Sequence, residues 1–424
     1  MKSSGVEWIR EVPEDWDLKR LQVVLYEINR KNNPVQTINI LSLLKDIGVV
    51  PYEDKGNQGN KSKTDLSDYK IAYPNTIVMN SMNVIIGSVG ISDYYGCVSP
   101  VYYVFSAKDQ ANIKYINYIF QTREFQNELK KYANGILEIR LRLSSDDVLK
   151  RKVPMPSLKV QNAIVDELEN RINLINKIID KINNEINLLD NYKKSIITET
   201  VTKGLDRDVP MKDSGIEWIG EIPENWNVVP LKYLVIYNYE TLSNDTDPDY
   251  LFDYLDISSV DSELGVTTLE TMSFRDSPSR ARRAVRPGDV VISTVRTYLK
   301  AITMIPNNDL PIIASTGFAT LRSNGKINQN FLAYSVLAEY FISEIESKSN
   351  GVSYPAINAS DLVNISIILP PLSEQEKIVT YIDKKVSKII NIKSDKIRQI
   401  NKLEEYKKSL IYEYVTGKKE VGRG

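Results

Sequence analysis

One segment of this chain occurs twice. MKSSGVEWIREVPEDWDLKRL at 1–21 and MKDSGIEWIGEIPENWNVVPL at 211–231 align without a gap at an offset of 210, with twelve of twenty-one positions identical. The two segments hold all four tryptophans, Trp8, Trp16, Trp218 and Trp226. A duplication of this kind means that the chain builds one framework twice, so an architecture that suits the first half has to suit the second. Further matches follow in the same order. Val285-Arg286-Pro287-Gly288-Asp289-Val290-Val291 answers Ala72-Tyr73-Pro74-Asn75-Thr76-Ile77-Val78, and Ile313 to Phe318 answers Gly96 to Val101. Asn350 to Val363 answers Asn134 to Leu149, with Tyr354-Pro355-Ala356-Ile357 in place of an arginine-rich stretch. The frameworks match and the loops between them differ.

Each half ends in a long helical pattern. Leu168, Ile172, Ile175, Ile179, Ile182, Ile186 and Leu189 follow at alternating four- and three-residue steps, the seam with which a helix seeks a helical partner. Lys193 interrupts the seam and Ile196 resumes it. Residues 370–418 repeat residues 156–204 at an offset of 214, with a seam of Ile382, Val386, Ile389, Ile400, Leu403 and Leu410. Lys393 and Lys396 occupy seam positions there, which predicts a loosely packed middle. Ser157 is placed to start the first helix and Gly204 to stop it, while Ser373 with Glu376 has the spacing of a capping box. A helix of about 37 residues is roughly 55 Å long. A domain of about 140 residues has a radius of gyration near ~14 Å. The link Leu205-Asp206-Arg207-Asp208-Val209-Pro210 is short, so the second helix most simply runs back along the first.

Between these landmarks the chain reads as mixed α and β. Thr76–Met79, Val84–Gly87 and Val101–Phe105 are strand-like, Ile113–Tyr132 has helical periodicity, and the polar Tyr52–Asp65 reads as an exposed loop. The predicted fold class is α+β: two α/β domains separated by two long antiparallel coiled-coil helices, with internal pseudo-two-fold repetition. The boundaries are 1–153, 154–204, 211–369 and 370–417.

Composition removes several functions. There is no histidine among 424 residues, which excludes Ser-His and Cys-His nucleophile pairs, histidine-ligated metals and histidine proton transfer. The single Cys97 excludes an internal disulfide framework and a multi-cysteine zinc site and fits a reducing cytoplasm. No run of about twenty apolar residues suggests a membrane span, and the N-terminal segment lacks the apolar stretch of a secretory signal. A methyl-donor loop, an Asn-Pro-Pro-aromatic methylation motif, a Walker loop and a metal-nuclease carboxylate cluster are all missing. The acidic stretch Asp245–Asp261 reads as a solvated loop and a strand. At a net charge of -1, a nucleic-acid surface has to be local or shared with partner chains.

Local basic positions exist. Arg140 and Arg142 alternate within Gly135–Val148, and the second half carries Arg280, Arg282, Arg283 and Arg286, then Arg296, Tyr298 and Lys300. Arginine reads guanine edges and holds phosphates, and asparagine reads adenine, which adds Asn80 and Asn83. Tyr354 joins the set because it stands where the first half has its arginines. The tryptophans, eight residues apart around Val12-Pro13 in the first copy, are expected to dock a strand-like arm rather than touch a ligand. The Tyr-Lys-Lys-Ser segments at Tyr192 and Tyr406 suggest a contact surface offered to two copies of one partner.

Taken together, the SGxEWIxExPxxW arms at 4–16 and 214–226, the PxLxxQxxIV helix starts at 156–165 and 370–379, and the YKKS[IL]I segments at 192–197 and 406–411 give a duplicated order. In this the chain resembles the specificity subunit of type I restriction-modification systems over essentially its whole length. The resemblance implies a non-catalytic subunit whose two variable domains are target-recognition domains, each reading half of an asymmetric bipartite sequence in double-stranded DNA. It implies helices that space the domains and dock two modification subunits, with two restriction subunits added to the complex. No cofactor is then expected on this chain, whereas S-adenosylmethionine, ATP and Mg belong to the partners, and the location is cytoplasmic with no membrane contact. The first helix start, PMPSLKVQNAIV, lacks the acidic Ser-Glu-Gln-Glu of the second. Two other readings of the residues are a coiled-coil adaptor joining two protein-binding domains, and an enzyme with fused catalytic domains, against which the missing motifs argue.

Overall fold

In the computed structural model, which describes residues 1–45, 47–56, 62–82, 87–133, 141–261 and 264–421, the chain folds as two units. The first is Met1–Asn183 with Ile397–Gly424, and the second is Asn184–Lys396.

The first unit opens with the arm, in which β1 (Lys2–Ser3) pairs antiparallel with β2 (Glu11–Val12). Then come β3 (Asp17–Arg20), β4 (Leu25–Glu27), β5 (Leu41–Leu44), β6 (Gly48–Pro51), β7 (Lys70–Ala72), β8 (Thr76–Asn80), β9 (Val89–Ser92), β10 (Gly96–Val98) and β11 (Tyr102–Ala107). Every residue of β8 is buried, which is why its sequence is a continuous run and not an alternation: it lies inside the antiparallel sheet β4-β11-β8-β9. Pro74-Asn75 makes the turn into it, with Asn75 at a φ of 60°. A second layer is formed by the β5/β6 hairpin and the β7/β10 pair, joined by the parallel bridge Ile40–Cys97. The single helical pattern expected over Ile113–Tyr132 is two helices, α1 (Ile113–Gln121) and α2 (Arg123–Lys130). Thr122 breaks it, because its hydroxyl donates to the Ile119 carbonyl and accepts from the Phe125 N–H, which stops one helix and caps the next. Strand β12 (Lys152–Met155) pairs with β3 and leads into α3 (Leu158–Lys203). Of the expected strand Val84–Gly87, residues 84–86 lie outside the described residues and Gly87 is in a turn. The expected loop at Tyr52–Asp65 begins with a short 3-10 turn, Tyr52–Lys55.

The second unit repeats this plan. Its arm is β13 (Met211–Asp213) with β14 (Glu221–Pro223), followed by β15 (Asn227–Pro230), β16 (Val235–Tyr237), β17 (Leu251–Leu255), β18 (Glu270–Ser273), β19 (Ala281–Val285), β20 (Val290–Ser293), β21 (Ile302–Met304), β22 (Ile312–Ser315) and β23 (Phe318–Ser323). The sheet β16-β23-β20-β21 has the strand order of β4-β11-β8-β9. The sheet β18-β17-β22-β19, with β17 and β22 parallel, is the fully formed version of the second layer. Helices α4 (Gln329–Leu337) and α5 (Glu339–Lys348) correspond to α1 and α2. Here the break at Ala338 has no capping side chain of its own, and the Glu339 N–H donates to the hydroxyl of Thr198 in α3. Strand β24 (Ser366–Leu369) pairs with β15 and leads into α6 (Leu372–Val415).

One amide fastens each long helix to its unit. Gln161, 1 % exposed, accepts from the Asn112 N–H at 2.8 Å and donates to the Pro156 carbonyl at 2.8 Å. Gln375, fully buried, does the same with the Asn328 N–H at 2.7 Å and the Pro370 carbonyl at 2.8 Å. Helix α6 starts at Leu372, so Ser373 lies within its first turn and the expected capping box does not form. The Pro371 carbonyl accepts from the N–H groups of Glu374 and Gln375, and the Glu374 carboxylate takes the Trp226 Nε1–H at 2.9 Å. At the other end α3 stops where expected, at Lys203, with Gly204 at a φ of 76° against Trp226.

Within each unit the helices run antiparallel. In the first, Lys407 donates to Asn176 and Tyr414 to Glu167. In the second, Lys396 pairs with Glu185 and Lys393 with Asp190. Leu168, Ile175, Ile182, Ile382 and Ile389 are buried in the seam, and Ile172, Ile179, Ile186, Leu189, Val386, Ile400 and Leu403 are partly buried. Lys393 and Lys396 do not loosen it: they are 19 % and 22 % exposed, and each ammonium reaches a carboxylate of the facing helix. Tyr192 and Tyr406 lie off the seam, both exposed. Among the described residues no helix is long and apolar enough to cross a membrane.

Candidate nucleic-acid interface

In the second unit, β20 runs into a loop with an unusual backbone. A 3-10 turn, Thr297–Leu299, is flanked by two non-glycine residues in the left-handed region, Arg296 (φ 52°, ψ 50°) and Lys300 (φ 51°, ψ 37°). Each costs on the order of 1 kcal/mol or more relative to a right-handed conformation, so the surroundings have to impose it. They do so through two threonines. The Thr294 hydroxyl donates to the Gly317 carbonyl at 2.9 Å, and its own carbonyl accepts from the Ile357 N–H at 2.9 Å. Thr297 is buried, with its hydroxyl 2.9 Å from that of Ser349 and its N–H donating to the Pro355 carbonyl at 3.3 Å. Gly317 lies close beneath the loop: a Cβ there would stand 2.7 Å from Ile257 Cδ1, so the end of that side chain would have to move to admit one.

The pinned threonines leave Arg296, Tyr298, Leu299 and Lys300 exposed. The Arg296 guanidinium lies over the ring of Tyr354, 5.1 Å from its centroid, and Tyr354 itself is 66 % exposed. Lys300 is 3.2 Å from Glu346. Thus Arg296, Tyr298, Lys300 and Tyr354, far apart in sequence, share one surface.

The remaining arginine candidates are engaged elsewhere. Arg280 bonds to the Tyr254 hydroxyl and pairs with Asp256 at 2.9 Å. Arg282 stacks on Phe274, and Arg286 pairs with Glu240 at 3.2 Å. Arg283 is partly buried, which lowers its pKa, and its Nη1 donates to Thr241 at 3.4 Å. Among the described residues of the second unit, Arg296 is the exposed arginine with no carboxylate partner.

In the first unit Asn80 is 8 % exposed and accepts from the Met82 N–H, so it shapes its turn from inside. Arg142 is exposed, and Asn83 and Arg140 lie outside the described residues. A group without a sequence signal stands out instead. Exposed Arg30 donates to the Tyr73 hydroxyl at 3.1 Å and to Gln36 at 3.0 Å, and the Tyr73 ring is 5.6 Å from that of Tyr95. Arg30 and Tyr73 are 43 residues apart, so no local pattern links them. Among the described residues no group of histidine, cysteine or carboxylates is arranged to hold a metal ion.

Comparison with known proteins places this geometry. The chain is 26 % identical, over 97 % of its length and 96 % of the relative's, to a protein named as the MjaX type I restriction enzyme specificity subunit of Methanocaldococcus jannaschii. It is 30 % identical to the MjaVIII specificity subunit of the same organism, over 64 % of this chain and 62 % of that one. Its fold is similar to that of a chain solved in work on complex assembly and conformational transition of the type I R-M system, with a TM-score of 0.67 at 16 % identity, covering 96 % of this chain and 98 % of the other. It is also similar to the HsdS subunit from Thermoanaerobacter tengcongensis, with a TM-score of 0.51 at 16 % identity over 98 % of this chain and all of that one. The family model described as type I restriction modification DNA specificity domain matches residues 13–188 and again 223–402. With both halves matched in this way, the chain belongs to the type I restriction-modification specificity family and carries two copies of its domain.

Proposed function

We propose that this chain reads an asymmetric, bipartite target in double-stranded DNA, one half-site through each unit, and holds two modification subunits on its long helices. The observation that carries this reading is that the two units repeat one strand order while the exposed side chains on the matched framework differ. One framework with two unlike surfaces suits two unlike half-sites. Exposed Tyr192 and Tyr406, matched in the two helices, suit docking of two copies of one partner. The chain's own part is recognition. Methyl transfer from S-adenosylmethionine to adenine belongs to the modification subunits, and ATP- and Mg-dependent translocation and cleavage to two restriction subunits. Arg142 in the first unit and Arg280, Arg286, Arg296, Tyr298, Lys300 and Tyr354 in the second are exposed, with Arg280 and Arg286 each held by a carboxylate; Asn83 and Arg140 stay candidates from sequence.

The test is to purify the chain with its modification subunits and map methylated adenines on random-sequence DNA. The expected result is a two-part motif of unlike halves, bound more weakly as salt rises because phosphate neutralisation supplies much of the affinity. Methylation without sequence preference would return the chain to the adaptor reading. Because α3 and α6 continue from one unit into the other, inserting one helical turn in both should lengthen the spacer and leave the recognised bases unchanged. An unchanged spacer would assign the distance to another element.

A further inference from the structure

We infer that Arg296 selects a guanine in the half-site read by the second unit. The inference rests on the reading above, that this unit reads DNA, and adds which group does so and which base it takes. Three independent observations converge on Arg296. Its guanidinium is exposed and has no carboxylate partner among the described residues, whereas the exposed Arg207, Arg275, Arg280 and Arg286 of the same unit are each paired to one. The fork is also placed: it lies over the Tyr354 ring at 5.1 Å, and the loop that carries Tyr354 is tied to the loop that carries Arg296 through Thr294, Thr297 and Ser349. Finally, its backbone is held in the left-handed region, a conformation that persists only where neighbouring contacts over-determine it.

These features separate base reading from phosphate binding. A phosphate is served by any flexible cation, and nearby Lys300, on Glu346, is already partly neutralised. A planar fork placed over an aromatic ring, with its guanidinium carbon 5.1 Å from the centroid, loses less freedom than a free one when it meets a planar acceptor pair, and guanine O6 and N7 in the major groove offer that pair to arginine. Adenine offers a donor at the position of O6, so the same fork discriminates against it.

The experiment uses the full chain in complex with its modification subunits, acting on a library randomised across the methylated motif. Arg296→Ala should lower the preference for guanine at one position of one half-site roughly ten- to hundredfold, leaving the other positions and the other half-site as they were. Arg296→Lys keeps the charge without the fork and should lose the same preference while total binding stays close to wild type. Should the alanine variant fold poorly, Arg296→Gly, which relaxes the left-handed backbone, carries the same expectation. A uniform fall over all sequences, with a salt dependence smaller by about one counterion, would make Arg296 a phosphate contact and overturn the assignment while leaving bipartite recognition intact. An unchanged motif would overturn it as well. Loss of all preference in the wild-type complex would instead remove the reading beneath it.

Discussion

The two tryptophan arms share twelve of twenty-one residues, yet they are not in the same condition. Trp16 and Trp226 are both buried, each against a glycine at the end of a long helix, Gly417 and Gly204. Trp8 is buried too, 5.0 Å from the Phe125 ring, but its counterpart Trp218 is 65 % exposed and gives its Nε1–H to Glu344. The difference lies in what each unit brings to the arm. In the first, Tyr412 of α6 packs into the core that holds Trp8 and donates its hydroxyl to the Trp8 carbonyl. At the matching position in α3 stands Thr198, whose short side chain caps α5 instead. A repeated motif therefore fixes the local fold of the arm, while the element packed over it fixes burial.

Trp226→Ala should cost about 3–5 kcal/mol and Trp8→Ala a similar amount, whereas Trp218→Ala should cost less than about 1 kcal/mol, measured by denaturant unfolding. Equal losses at Trp8 and Trp218 would mean that the two arms are packed alike after all. Gln161→Leu and Gln375→Leu should each cost about 1–3 kcal/mol, because either change strands a partly buried N–H and a buried proline carbonyl, and similar values in the two units would show that the clamp is shared. Lys393→Leu should cost about 1–3 kcal/mol by removing the ammonium that faces Asp190, which is 15 % exposed. Most of this loss should return when Asp190→Leu is added, and a double-mutant cycle with no coupling would reject the ion pair as the reason for lysine in the seam. The smallest effect concerns Arg10, at a φ of 65° where the second arm has Gly220 at 67°. Arg10→Gly should raise stability by up to about 1 kcal/mol and Gly220→Arg should lower it by about as much, read from paired melting curves.

The residues differ in how readable they were. The paired seams, the stop at Gly204, the central strand at Thr76–Met79 and the duplicated plan are visible in sequence because they depend on short-range periodicity and backbone conformation, which recur locally. The break at Thr122 was less visible, since threonine in a helical pattern signals a cap only once its hydroxyl has bonded to the Ile119 carbonyl. Ser373 shows the reverse error: the capping-box spacing is present, but the helix begins at Leu372, so Ser373 stands inside the first turn and not at the cap position.

Side-chain environment was settled by partners distant in the chain. Lys393 and Lys396 read as defects in a seam until Asp190 and Glu185, 203 and 211 residues away, supplied their carboxylates. The arginines of the second half look alike as letters, and only the positions of Asp256, Glu240, Phe274 and Tyr354 single out Arg296 as the exposed fork without a carboxylate among the described residues. By itself the sequence determined that one framework is built twice and joined by long paired helices, since these follow from repeats and periods of a few residues. Tertiary structure alone decided which tryptophan is covered, which lysine is paired and which exposed arginines are held by a carboxylate, because burial and charge pairing are properties of surfaces assembled from segments tens to hundreds of residues apart.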